Sequence, residues 1–204
     1  MKNQFWAYIY LCMFIQTEET PNPNTLKFIP GVQVLEEGTV EFKDKESAKI
    51  SNLGNIIFLI NGIERVFLAT EFVSVTKKND TNWEILKPLI LTAIMDHYAS
   101  GKEVIIKNQN ITNESKDEDT EVVKQIKELI DQRVRPAVAM DGGDISFCSF
   151  EDGVVTLQMK GACAGCPSST ATLKMGIENM LRHYIPEVVE VKAADLWDLK
   201  IKLY

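Results

Sequence analysis

Between Lys107 and Thr120 the chain reads KNQNITNESKDEDT, and this run constrains everything around it. Ile111 is its one strongly apolar residue, and its end is acidic. Such a segment buries too little surface to offset the entropy of ordering it, so residues 107–120 read as a linker. A chain of 204 residues divided there leaves two pieces, each of small-domain size. The hydrophobic share of 45% and the charged share of 25% are ordinary for globular proteins, so each half can build a core. The formal net charge of −7 turns the chain away from phosphate backbones, and nucleic acid is not an expected partner.

The first domain spans residues 13–106. Pro21-Asn22-Pro23-Asn24 is a turn-rich entry, followed by strand candidates at Thr25–Ile29, Val32–Val34 and Thr39–Phe42. Ala48, Ile50, Leu53 and Ile57 recur at helical spacing. Val66-Phe67-Leu68 and Phe72-Val73-Ser74-Val75 read as a hairpin. Thr81 and Glu84 suggest a capping box, with Gly101 placed to end the helix that follows. No reactive constellation stands out in this half.

Residues 1–12 read as an extension upstream of the first domain. A short hydrophobic tail packed on that domain is the second reading and a weak secretory signal the third. Phe5 to Ile15 is too short an apolar run to span a bilayer, and the arginines of a transit peptide are missing. No membrane association is expected.

The second domain, residues 121–204, reads in the order α-β-β-α-β. Val122, Ile126, Leu129, Ile130 and Val134 mark a helix that Pro136 interrupts or ends. Asp141-Gly142-Gly143-Asp144 is a turn. Ile145–Phe150 and Val154–Met159 form a hairpin through Glu151-Asp152-Gly153. A second helix carries Leu173, Ile177, Met180, Leu181 and Tyr184, and Val188–Val191 is a final strand. The fold class is therefore α+β: two small α/β domains joined by an acidic linker, with no repeat between them.

Between the hairpin and that second helix lies Gly161-Ala162-Cys163-Ala164-Gly165-Cys166-Pro167. A C-x-x-C pair in a long chain points to metal or redox chemistry in a reducing compartment. Pro167 favours the first helical turn, and the positive end of a helix lowers a thiol pKa, so reactive thiolates are expected here. An iron–sulfur cluster or a structural zinc usually needs four ligands. The other cysteines are Cys12, in the extension, and Cys148, on a strand out of ligand spacing. Two chains contributing two thiols each make up the number, and a cluster shared in that way would be exposed and releasable. A thioredoxin-like redox centre and a zinc module remain open as second and third readings.

Other residues carry milder readings. Asp141 and Asp144 are taken as turn formers, and Cys148 as a small buried hydrophobe. His97 and His183 read as surface or helix-end cations, and Met159, Met175 and Met180 as core filler.

The stretch from Met140 to Val188, with MDGGDISF and GVVTLQMKGACAGCPSSTATLKMGIENMLRHYIPEV, resembles the C-terminal domain of the Nfu/NifU-like proteins. TEETPNPNTLKFIPG, GIERVFLATEFVSVTK and WEILKPLI resemble that family's N-terminal domain. The resemblance runs from Met13 onward; the first twelve residues and Cys148 depart from it. It implies a scaffold or carrier rather than an enzyme, in which Cys163 and Cys166 of each of two subunits hold one [4Fe–4S] cluster, with [2Fe–2S] as the second choice. It implies a homodimer on cluster binding, supply by upstream assembly machinery, and delivery to apo-proteins such as radical enzymes and dehydratases. A bacterial cytosol is the first expectation for the compartment and a mitochondrial matrix the second.

Overall fold

The computed structural model describes residues 14–106, 120–165 and 167–194, and the chain falls into two compact units divided between Ile111 and Thr112. The extension 1–12, the linker residues 107–119 and Cys166 lie outside the described residues. Each unit has its own apolar core.

The first unit is a five-stranded antiparallel sheet in the order β1-β2-β5-β4-β3. Its strands are β1 (Gln16–Glu19), β2 (Thr25–Ile29), β3 (Val40–Phe42), β4 (Ile63–Leu68) and β5 (Val73–Lys77). Two helices, α1 (Asn52–Phe58) and α2 (Trp83–Ser100), share a core with it. Alternation fixes the inner face: Leu26, Phe28, Val66, Leu68, Val73 and Val75 meet Leu53, Ile57, Ile90 and Ile94. The β4–β5 hairpin forms as its sequence predicts, with Val66 opposite Val75.

Three expectations for this unit are corrected. Val32–Val34 is not a strand, because Gly31 (φ 75°) and Gly38 (φ 72°) turn the chain through left-handed backbone on either side. The helical spacing of Ala48, Ile50, Leu53 and Ile57 falls on two pieces and not on one helix, a 3-10 turn at Ser47–Ile50 and α1. Extended Ser51 separates them and caps α1, its hydroxyl accepting the Gly54 N–H at 3.0 Å. The cap of α2 is Asn82, whose side chain accepts the Glu84 N–H at 3.0 Å, while Thr81 spends its hydroxyl on the Lys78 carbonyl. Gly101 ends α2 in the left-handed region, as expected.

The second unit begins with α3 (Glu121–Leu129), capped by the Thr120 hydroxyl. Pro136 does not end this helical run. A π turn over Ile130–Val134 bonds the Arg135 N–H to the Ile130 carbonyl, and α4 (Arg135–Met140) continues with Pro136 in its first turn. Proline has no N–H to give to a carbonyl four residues back, and the wider turn absorbs that loss.

Strands β6 (Gly143–Glu151) and β7 (Val154–Gly161) are antiparallel, and β8 (Glu190–Ala193) lies parallel to β7. Helix α5 (Pro167–Tyr184) makes the crossover between β7 and β8. Asp152 (φ 49°) and Gly153 (φ 79°) form the tight connection of the hairpin. A bulge at Cys148 separates the pairs Phe147↔Leu157 and Ser149↔Thr156. Without it, alternation would turn Phe150 to the face opposite Ile145 and Phe147; with it, all three pack on one core.

Candidate functional site: a cysteine seated on a diglycine turn

Strand β7 ends at Gly161, which takes a left-handed conformation (φ 62°) and lets the chain fold back at once. The Ala164 N–H then closes a turn on the Gly161 carbonyl at 3.1 Å. This turn drives Cys163 into the core of the second unit, where it is 7% exposed and clusters with Ile145, Leu157 and Ile177.

The start of β6 approaches the same point. Gly143 pairs with Gly161 at the end of the ladder, and the Ala162 N–H donates to the Gly142 carbonyl at 3.1 Å. A Cβ added to Gly143 would land on Cys163 Sγ, 2.8 Å from the Lys160 carbonyl oxygen and 3.0 Å from the Cys163 nitrogen. No side chain larger than hydrogen fits there without moving backbone.

Two carboxylates bracket this diglycine. Asp144 is buried and pairs with Arg135 Nε at 3.2 Å. Arg135 also pairs with Asp131 at 3.2 Å and donates Nε–H to the Ile145 carbonyl at 3.0 Å. Asp141 is exposed. Burial first, then Asp141 and Asp144, pushes the Cys163 thiol up to about 12. The reactive thiolate expected from the helix N-terminus is thus corrected for Cys163. Pro167 does begin α5, but Cys163 sits ahead of the helix, in apolar surroundings with negative neighbours. The sequence signal was available, since Asp141 and Asp144 flank the glycines that touch the cysteine; reading them only as turn formers missed their charge.

Cys163 is the one member of the C-x-x-C pair among the described residues. Cys148 is half-buried at the β6 bulge, its Sγ 3.9 Å from the Ser146 carbonyl. His183 stands in the last turn of α5 with its ring against Tyr184, a helix-end residue as expected. His97 is a correction: it lies in the last turn of α2 but is fully buried, and neither ring nitrogen has a hydrogen-bond partner among the described residues. Burial, reinforced by Lys102, holds its pKa below the usual histidine range. Met159 and Met180 pack on the core, whereas Met175 is 65% exposed and fills nothing. Among the described residues no three His, Cys, Asp or Glu side chains gather to hold a metal ion, and no helix is long and apolar enough to cross a membrane.

Fold and loop together define a two-domain class, an antiparallel α/β module followed by an α-β-β-α-β module with a cysteine pair between strand and helix. Residues 126–192 match the family model of the NifU-like domain, and residues 15–101 match that of the scaffold protein Nfu/NifU N terminal. The chain belongs to the Nfu/NifU family of iron–sulfur cluster scaffolds. It is 49% identical over 181 residues to the human NFU1 iron-sulfur cluster scaffold homolog, mitochondrial, covering 88% of this chain and 71% of that protein. It is 50% identical over 185 residues to NifU-like protein 4, mitochondrial, of Arabidopsis thaliana, covering 88% of this chain and 65% of that one. The chain therefore spans a little under two thirds of the Arabidopsis protein's length. A solution structure of a NifU-like protein from Saccharomyces cerevisiae is 28% identical, with a TM-score of 0.43, over 47% of this chain and 87% of that one.

Proposed function

We propose that this protein carries a [4Fe–4S] cluster as cargo, held by Cys163 and Cys166 of each of two chains, and passes it to apo iron–sulfur proteins. The observation that carries the reading is the seat of Cys163. A core and a side-chain-free diglycine fix its sulfur at the head of the C-x-x-C loop. One chain offers two adjacent thiols, and a cluster with four thiolate ligands is completed by a second copy. The thiol of the empty protein is protonated at neutral pH, so taking up iron releases a proton and makes loading pH-dependent. The same high pKa makes Cys163 a poor attacking group for thiol–disulfide exchange, because the thiolate is the attacking species.

The supply side is the assembly machinery that builds clusters, and the recipients are apo-enzymes that need them. The relatives' names place them in mitochondria, which favours an organelle matrix over a bacterial cytosol for this chain.

Anaerobic reconstitution with iron and sulfide tests the proposal, read by absorption, metal content and mass in solution. A brown dimer with about four irons per pair of chains is the expected product. The Cys163→Ser and Cys166→Ser variants should each remain colourless monomers. A double variant that reconstitutes like the wild type would sink the proposal, and a colourless protein that cycles an intrachain disulfide would move it to the redox class.

A further inference from the structure

The carrier reading leaves open what lets the cargo go. The loop that holds Cys163 rests on Gly142 and Gly143, through the Ala162 N–H···O bond at 3.1 Å and the contact of Gly143 with the cysteine sulfur. The residues on either side of this rest are Asp141 and Asp144, so two carboxylates flank the cargo's anchor. Their circumstances differ. Asp144 is buried and faces Arg135 at 3.2 Å, which places a cation against its charge. Asp141 is exposed and makes no ion pair among the described residues. A cubane held by four thiolates is an anion, so an uncompensated carboxylate beside it raises its free energy.

We infer that Asp141 is a positioning residue for release, whose uncompensated carboxylate beside the Cys163 seat repels the anionic cluster and shortens its stay. The inference rests on the carrier reading above. Because a bridging cluster is held by two copies, the charge acts twice. Arg135 confines the effect to one carboxylate per chain, because Asp144 already faces a cation. An exposed carboxylate acts through water, so the effect is moderate, about three- to tenfold on a release rate.

The test uses the full-length chain, reconstituted anaerobically and challenged with an iron chelator while the cluster absorption decays. Asp141→Asn should lose its cluster about three- to tenfold more slowly than the wild type at low salt. Asp141→Glu, which keeps the charge, should decay like the wild type. Asp152→Asn removes the same charge at the far hairpin, where asparagine tolerates the left-handed backbone, and should also match the wild type. The advantage of Asp141→Asn should vanish in about 1 M salt, where the screening length falls to about 3 Å. A loss rate for Asp141→Asn equal to or above the wild type overturns the inference. So does an equal slowing by Asp152→Asn, or a gap that survives high salt. A wild-type chain that takes up no cluster at all removes the carrier reading itself, a failure visible before any variant is compared.

Discussion

Gly143 has no side chain where Cys163 needs the room: the place a Cβ would occupy is filled by the cysteine sulfur. The two residues belong to opposite sides of the β6–β7 hairpin's open end, so the fit is a tertiary one.

Gly143→Ala should therefore act on both stability and loading. The new methyl meets the Lys160 carbonyl and the Cys163 nitrogen, which are backbone and cannot swing aside. A cost of about 1–3 kcal/mol to the second unit is expected, with loss of cluster uptake. Gly176→Ala is the contrast, since nothing lies within 4 Å of its Cβ position on α5. It should stabilise by up to about 1 kcal/mol and leave uptake intact. Urea unfolding and reconstitution of the full-length variants check both.

Cys163 is at once a core residue and a candidate ligand, and two substitutions separate the roles. Cys163→Ala should cost about 1 kcal/mol, the packing of one small side chain. Cys163→Ser, which buries a hydroxyl among apolar neighbours, should cost more, about 1–3 kcal/mol. Uptake should be lost in both. If the alanine variant loaded normally, the sulfur would be packing alone.

His97 should make the first unit acid-sensitive. Its folded pKa lies below the ordinary 6.5, so the unfolded chain accepts a proton that the buried ring refuses. The stability from the neutral ring is complete above about pH 6.5, is lost as the pH falls below that value, and levels off once the folded ring titrates too. Unfolding midpoints measured between about pH 7.5 and 5 should fall for the wild type and stay nearly flat for His97→Leu. Parallel curves for the two proteins would refute the assignment.

Arg135 ties α4 to the start of β6 through Asp144 and the Ile145 carbonyl. Arg135→Leu removes the guanidinium from a buried carboxylate and should destabilise the second unit by about 1–3 kcal/mol. Asp144→Asn added to it should restore part of the loss, because a neutral amide needs no cation. Denaturant melts of the two single variants and the double variant give the coupling directly.

Local patterns made much of this fold legible. The β4–β5 hairpin, the Asp152-Gly153 connection, the Gly101 stop and the Pro167 start are written in a few adjacent residues each. What escaped the sequence depends on distant partners. Strand β1 is QTEE, which shows no apolar alternation; it is a strand because β2 offers it an open edge. Val32–Val34 has strand-forming residues, but flanking glycines settle its path. Met175 and His97 were misplaced because their exposure is set by what packs above a helix, which spacing alone leaves open. At the site, the pair of cysteines was plain, while the charge and burial around Cys163 arise only once residues 141–144 fold back onto 161–163.

The π turn at Ile130–Val134 gives this arrangement a phase. Its five-residue step carries one residue more than an ordinary helical turn would, so it works as an inserted tooth between α3 and α4. The wide turn spreads five residues over about the rotation that four take in an ordinary helix, so the extra residue is taken up locally and the phase on either side is kept. Val138 therefore still faces the core and Arg135 still reaches Asp144 beyond the interruption. A single-residue deletion inside the turn should be absorbed as a regular helix, whereas the same deletion within α4 would turn Val138 off the core by about 100°.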